Sequence, residues 1–81
     1  MKKFEWNQKK NIRLKRERDI SFEEIVFAIG NGSLLDEVER PSKRNQGLLV
    51  VYLKDYIYIV PCVKGKGDSI FLKAIIPSRK V

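Results

Sequence analysis

The chain has 81 residues, of which 43% are hydrophobic, and a net charge of +7. These values predict one small basic domain over residues 1–81 with a thin core. No apolar run reaches the roughly 18 residues that span a bilayer, and the first residues contain no apolar signal-peptide segment. The absence of histidine and the single cysteine, Cys62, exclude His/Cys metal sites, catalytic triads and an internal disulfide. We therefore expect a cytoplasmic protein without a cofactor and without a membrane partner.

Positive charge is concentrated at the start of the chain, where residues 1–18 hold eight lysines and arginines against Glu5 and Glu17. Such a stripe is typical of proteins that bind an anionic partner. We expect this partner to be a nucleic acid or an acidic protein that imitates one. The alternative is a solvated helix face that only aids solubility.

Two helices are predicted in the first half of the chain. After a short opening strand at Lys3–Trp6, Asn7 suits an N-cap, and the surface helix Gln8–Arg18 lacks glycine and proline. Ser21-Phe22-Glu23-Glu24 has the pattern of a capping box. Apolar residues at helical spacing follow it, until the glycines of residues 30–32 end the second helix.

Strand periodicity begins at Leu34. Lys54-Asp55 separates two β-branched and aromatic runs, and its lack of glycine allows a turn longer than two residues. A polar loop is expected at residues 40–47 and a turn at residues 64–68. The predicted strands are Leu34–Glu39, Leu48–Leu53, Tyr56–Val63 and Ile70–Ile76, the last of them ended by Pro77.

These elements predict an α+β fold, in which a short N-terminal strand and two helices pack on an antiparallel β-meander. Pairing Leu53 with Tyr56 places apolar residues on both faces of the sheet, whereas two short helices cover only one face. The second face is therefore expected to contact a partner protein, a second copy in a homodimer, or a ligand.

The chemistry that remains is that of lysine, arginine and tyrosine. The carboxylates of Glu23-Glu24 and of Asp36-Glu37-Glu39 suit a helix N-terminus and an exposed strand better than a metal site, so no metal is expected. Lysine, arginine and tyrosine suffice for metal-free RNA cleavage, in which the 2′-hydroxyl attacks the adjacent phosphodiester and cations stabilise the phosphorane. The composition permits this reaction without indicating it.

Motifs near both ends of the chain resemble one family. Phe4-Glu5-Trp6-Asn7, then Lys10, then Ile20-Ser21-Phe22-Glu23-Glu24 resembles the opening of BrnT-family toxins, which runs Phe-Glu-Trp-Asp, Lys, Lys-His-Gly and Val/Ile-Ser-Phe-Glu-Glu. Ile75-Ile76-Pro77-Ser78-Arg79 is similar to the family's Ile-Ile-Ser-Ala-Arg. Between these motifs the match is a hydrophobic pattern only.

The sequence departs from the family pattern at two places. The family's Lys-His-Gly is Glu17-Arg18-Asp19 here, so the histidine position holds Arg18. Ala74 stands where an arginine is expected, and Lys73 precedes it. Both departures concern residue types that contact phosphate or transfer protons.

The resemblance implies a RelE-like fold, metal-independent cleavage of mRNA that inhibits translation, and neutralisation by a cognate antitoxin protein. Lys10 and Arg79 carry over from the motifs as candidate catalytic residues at the scissile phosphate, and Lys73 is a third candidate. Tyr58 and Tyr52 are candidates for proton transfer or base stacking, while packing in the core or against a partner is the alternative. The candidate RNA-binding residues are Arg18, Arg44, Lys9 and Arg13.

A function of a different class is also open. For each of these cations taken alone, a solvated surface charge is an equally good explanation. In this alternative the chain is a non-catalytic RNA- or protein-binding module, which has kept the same scaffold and lost the active site. An assay of cleavage on a defined mRNA separates this alternative from the ribonuclease.

Overall fold

The computed structural model describes residues 3–40 and 44–80. Pro41, Ser42 and Lys43 of the expected polar loop fall outside the described residues. Within them, no helix is long and apolar enough to cross a membrane. The elements in chain order are β1 Lys3–Trp6, α1 Gln8–Arg18, α2 Phe22–Gly30, β2 Leu34–Glu39, β3 Gln46–Leu53, β4 Tyr56–Lys64, β5 Ser69–Leu72 and β6 Ile76–Lys80.

All six strands belong to one sheet, in the order β1-β5-β4-β3-β2, with β6 paired to the remaining half of β4. Strands β2 to β5 form the predicted antiparallel meander. β1 runs parallel to β5, with Phe4 opposite Ile70, so the sheet is mixed. Because β1 and β2 lie at opposite edges, the chain crosses the sheet between them through α1 and α2. The predicted α+β fold is confirmed.

The last predicted strand, Ile70–Ile76, is wrong in its bounds. The structure divides it into β5 and β6, with a break at residues 73–75 where the backbone N–H of Lys73 donates to the Pro61 oxygen at 2.8 Å. Pro77 does not end the strand but lies inside β6, opposite Tyr58. A proline is tolerated there because β6 is an edge strand, whose outward N–H groups need no partner in the sheet.

The turn between β3 and β4 contains two residues. Lys54 and Asp55 both have left-handed backbone angles, with φ of 53° and 66°, as a type I′ turn requires. Side-chain contacts hold this turn without glycine. The Tyr52 hydroxyl donates to the Asp55 carboxylate at 3.1 Å, and Lys54 pairs with Glu24 of α2 at 2.9 Å.

Asn7 begins α1 as predicted, and Asp19, which was not predicted as a cap, ends it. The Asn7 side chain accepts the backbone N–H of Lys10 at 3.0 Å. Asp19 follows the last turn with a left-handed φ of 54°, a conformation that aspartate tolerates better than most residues. Asp19 stands at the glycine position of the family's Lys-His-Gly pattern, and its backbone geometry explains why glycine suits that position.

The predicted capping box of α2 is half present, because one of its two hydrogen bonds forms. The Ser21 hydroxyl accepts the backbone N–H of Glu24 at 3.2 Å. The Glu24 carboxylate, which a full capping box directs back to the Ser21 amide, pairs instead with Lys15 at 2.8 Å and with Lys54 at 2.9 Å. A tertiary ion pair has therefore replaced a local hydrogen bond.

The core lies between the helices and one face of the sheet, here called the inner face. Phe22 and Ile25 of α2 are fully buried, and the side chain of Cys62 in β4 is buried as well. Trp6 stacks on Phe22 with ring centroids 5.8 Å apart, which anchors β1 to α2. The sheet contributes the buried side chains of Leu49, Val51, Val60, Ile70 and Leu72.

The opposite face of the sheet, here called the outer face, is also apolar. Ile57 and Ile59 alternate with the buried Val60, so they belong to the outer face, where both are half-buried. Phe71 of the same face is 41% exposed. The two-sided apolar pattern is confirmed, and a partner on the outer face stays a prediction.

Candidate nucleic-acid interface

α1 supplies much of the positive surface. Its 11 residues include six lysines and arginines but one acid, Glu17, and only Asn11 is buried. The Asn11 side-chain oxygen accepts the backbone N–H of Phe22 at 2.7 Å, and its nitrogen donates to Glu23 at 2.6 Å. These bonds hold α1 against the N-terminus of α2, so the basic side chains extend from a helix that is fixed in position.

One cation of α1 is engaged within the protein. Glu24 lies between Lys15, at 2.8 Å, and Lys54, at 2.9 Å. Burial opposes the ionisation of Glu24, but hydrogen bonds from both lysines outweigh it and hold the pKa of Glu24 below its ordinary value. The hydrogen bond to Glu24 raises the pKa of Lys15. Since Lys54 also donates to the Asp19 backbone oxygen at 3.3 Å, this network joins both helices to the β3–β4 turn.

A groove of about 380 Å³ lies between α1 and the segment that links β5 to β6. Lys10, Arg13, Arg18 and the carboxylate of Glu17 line its helical side, and residues 74–76 line the other. Positions three and four apart recur on one face of a helix, which explains why these side chains converge. We call this feature the basic groove. Three of the predicted site residues, Lys10, Arg13 and Arg18, line the basic groove.

A second cavity of about 500 Å³ adjoins the basic groove, because Arg18 and Ile75 line both. Tyr56 and Tyr58 of β4 form an aromatic wall, with ring centroids 6.0 Å apart and planes inclined by 40°. Burial raises the pKa of Tyr58, although the charge of Lys54 opposes this effect. We call this cavity the tyrosine pocket. It is lined by Arg18, Ile20, Tyr56, Tyr58, Ile75 and Pro77.

Arg79, the second residue carried over from the family motifs, lies apart from Lys10. It is exposed in β6 and pairs with Ile57, which assigns it to the outer face of the sheet. Lys10 lies with α1 on the inner side. Arg79 lines neither the basic groove nor the tyrosine pocket. A catalytic role for Arg79 stays a prediction, and Arg79 would act from a different surface.

The other predicted cations also lie outside these two cavities. Lys73 is exposed in the link between β5 and β6, Arg44 is exposed just before β3, and Lys9 is exposed on α1. Tyr52 belongs to the outer face, where its hydroxyl donates to Asp55 at 3.1 Å. The structure therefore supports the grouping of Lys10, Arg13 and Arg18 and separates the remaining candidates from it.

Three polar or aromatic residues of the interface, Glu17, Tyr56 and Asn11, were absent from the sequence-based candidates. Tyr56 shares a face with Tyr58 because the two are separated by one residue in a strand, and that spacing is visible in the sequence. Asn11 carries no comparable signal. A single asparagine in a basic helix is typical of a solvated surface, and only the neighbouring helix shows that Asn11 is buried.

The carboxylates form no metal site within the described residues. Among residues 3–40 and 44–80, no three side chains of the types histidine, cysteine, aspartate and glutamate converge. Glu23 accepts from Asn11, and Glu24 pairs with two lysines. Asp36 accepts the backbone N–H of Glu37 at 2.8 Å.

No protein-family model and no curated protein matches the sequence. The structure is similar to the 1.1 Å crystal structure of the Brucella abortus ribonuclease toxin BrnT, with a TM-score of 0.69 over 99% of this chain and 100% of the other. Sequence identity between the two is 12%, so the likeness is one of fold. The chain therefore has, over its described length, the BrnT toxin fold that its terminal motifs predicted.

Proposed function

We propose that this protein is the toxin of a toxin–antitoxin pair, a metal-independent endoribonuclease that cleaves mRNA and thereby inhibits translation. The observation that carries the proposal is the basic groove, where Lys10, Arg13 and Arg18 converge beside the tyrosine pocket. A groove lined by cations next to aromatic side chains suits the backbone and bases of a single RNA strand. The fold shared with a ribonuclease toxin supports the same conclusion.

The proposed reaction uses the 2′-hydroxyl of the RNA as the nucleophile. Its oxygen forms a bond to the adjacent phosphorus, and the bond from phosphorus to the 5′-oxygen of the next nucleotide breaks. The products carry a 2′,3′-cyclic phosphate and a 5′-hydroxyl. Negative charge accumulates on the phosphorane, so the cations of the basic groove stabilise the transition state more than the bound substrate.

Proton transfer is assigned to two residues of the basic groove. Glu17 is the carboxylate among its lining residues, and it accepts the proton of the 2′-hydroxyl as the bond to phosphorus forms. The ammonium group of Lys10 gives a proton to the departing 5′-oxygen. Exchange with water then restores both residues, which balances the reaction without a metal ion.

Cleavage of a defined mRNA by the purified protein tests this proposal. Arg13→Ala and Arg18→Ala are each expected to lower the cleavage rate by about 100-fold, the effect typical of removing one donor to a transition-state oxyanion. Arg16→Ala is the matched control, since Arg16 belongs to the same helix but faces the cleft between α1 and α2. An equal loss in all three variants would contradict a specific role for the basic groove. RNA binding without cleavage would favour the binding module.

An antitoxin is part of the same proposal. A partner protein with an acidic segment is expected to cover the basic groove, because carboxylates there replace the phosphates of RNA. Co-expression with the product of an adjacent small gene should yield a complex that does not cleave RNA. Arg13→Ala and Arg18→Ala should weaken the complex more than Arg16→Ala does. A complex of unchanged affinity in all three variants would place the antitoxin elsewhere.

A further inference from the structure

We infer that the tyrosine pocket binds one unstacked nucleobase of single-stranded RNA while the adjoining phosphate lies in the basic groove. The inference rests on the proposed function and names a base subsite for its substrate. It concerns Tyr56 and Tyr58 as the aromatic wall and Arg18 as the cation at the junction of the two cavities.

The aromatic wall continues the inner face of β4 beyond the part that the helices cover. Val60 and Cys62 of that face are buried, whereas Tyr58 is half-buried and Tyr56 is 37% exposed. Burial thus decreases along the strand toward the β3–β4 turn. Aromatic rings at the uncovered end of a core face present a surface on which a base can stack.

Packing against the core accounts for the position of Tyr58 but not for that of Tyr56. Tyr58 packs against the buried cluster, but Tyr56 is not part of that cluster, and Pro77 is exposed. The two tyrosine rings are inclined by 40° with centroids 6.0 Å apart, so they do not stack face to face on each other. Tyr56 and Pro77 are therefore available to a ligand.

The size and chemistry of the pocket suit a planar heteroaromatic group. Its volume of about 500 Å³ lies within the range of roughly 300–1,000 Å³ that is usual for small-ligand sites. Ile20, Ile75 and Pro77 provide apolar walls, and the tyrosine hydroxyls and the guanidinium of Arg18 provide polar groups. A base offers a π-face to the rings and a polar edge to those groups.

The connection to the basic groove decides in favour of RNA over a protein side chain. Arg18 and Ile75 line both cavities, so a base in the tyrosine pocket and its own phosphate in the basic groove require no gap between the two sites. Arginine suits this junction because its planar guanidinium both binds phosphate and stacks on aromatic rings. The base must be unpaired, since a base within a duplex cannot enter a pocket.

Binding of a short RNA that cannot be cleaved tests the inference independently of catalysis. The probe is a fluorescein-labelled oligonucleotide with 2′-O-methyl groups at every position, together with a series in which one position at a time lacks its base. Tyr56→Ala is expected to weaken binding of the intact probe at least about fivefold, and Tyr56→Phe, which keeps the stacking ring, should bind more tightly than Tyr56→Ala. Phe71→Ala, at an exposed aromatic residue of the outer face, is the matched control and should leave binding unchanged.

The abasic series separates a base subsite from other roles of Tyr56. One abasic position should weaken wild-type binding as much as Tyr56→Ala does, and the substitution should have no further effect on that probe. An equal loss for intact and abasic probes, an unchanged affinity in Tyr56→Ala, or no binding by the wild type would overturn the inference. Base-dependent binding by a protein that cleaves no RNA would support the base subsite and contradict the ribonuclease. Cleavage of RNA by a protein whose binding does not depend on any base would support the ribonuclease and contradict the base subsite.

Discussion

The side-chain oxygen of Asn11 accepts the backbone N–H of Phe22 at 2.7 Å, across the junction of the two helices. Phe22 is the first residue of α2, so its N–H has no partner within that helix. Asn11 thus supplies a cap from outside the local sequence. The same contact orients α1, whose outward side chains form the basic groove.

Asn11→Ala is expected to destabilise the protein by about 1–3 kcal/mol, because the buried N–H of Phe22 loses its acceptor. The free energy of unfolding from denaturant titration measures the effect. Asn31→Ala is the control, since Asn31 is exposed at the other end of α2 with a negative φ, and should change stability by less than about 0.5 kcal/mol. Equal stabilities of the two variants would show that the Asn11 contact contributes nothing.

Ser21→Ala is expected to cost about 1 kcal/mol through the lost N-cap of α2. The hydroxyl of Ser21 accepts the Glu24 N–H at 3.2 Å and lines neither the basic groove nor the tyrosine pocket. RNA binding should therefore be unaltered at temperatures where the variant is folded. A denaturant midpoint equal to that of the wild type would be inconsistent with a capping role.

Glu24→Gln is expected to lower stability at neutral pH by about 1 kcal/mol, since Lys15 and Lys54 lose their shared carboxylate. The pKa of Glu24 is lower in the folded protein than its ordinary value of 4.5. Its ion pairs therefore contribute fully above that value, and the contribution is lost as the pH falls through the folded pKa. The difference between variant and wild type should vanish in acid.

Urea titrations at a series of pH values measure this dependence, with Glu17→Gln as a control acid outside the network. A difference between Glu24→Gln and the wild type that stays constant as the pH is lowered to the limit of the folded state would show that packing, and not charge, accounts for the effect.

Ribonuclease activity is expected to be unchanged in excess EDTA. The proposed reaction draws its charge stabilisation from Lys10, Arg13 and Arg18, and the described residues contain no convergent ligand set. A metal-dependent nuclease on the same RNA serves as the control for chelation. Activity lost in EDTA and restored by a divalent cation would contradict the proposed mechanism.

Arg79→Ala tests the motif near the end of the chain. A role in the transition state predicts that the substitution relieves growth arrest in cells far more than it weakens RNA binding. The fold should tolerate the change, because Arg79 is exposed in an edge strand. Lys66→Ala, in the exposed β4–β5 turn, is the control. It should weaken RNA binding more than it relieves growth arrest, as expected of a residue that only attracts phosphate. Growth arrest retained by a folded Arg79→Ala protein would exclude Arg79 from the active site.

Local physical chemistry made much of the fold predictable from the sequence. Both helices have the predicted bounds, because the caps at Asn7 and Ser21 and the glycines near residue 30 act within a few residues. The pairing of Leu53 with Tyr56 likewise follows from a short connection between two β-branched runs. The concentration of cations on α1 was evident from the sequence, and so was the apolar character of both sheet faces.

Contacts between distant segments decided the rest. The parallel pairing of β1 with β5, the division of the last strand around residues 73–75 and the burial of Asn11 all depend on neighbours remote in sequence. The candidate site depends on such contacts as well. Lys10 and Arg79 both stand in family motifs, yet only the order of strands and the crossing of α1 place Arg18 beside Tyr58 and leave Arg79 on the other face. Sequence determines which side chains an element can present, whereas tertiary packing determines which of those side chains meet.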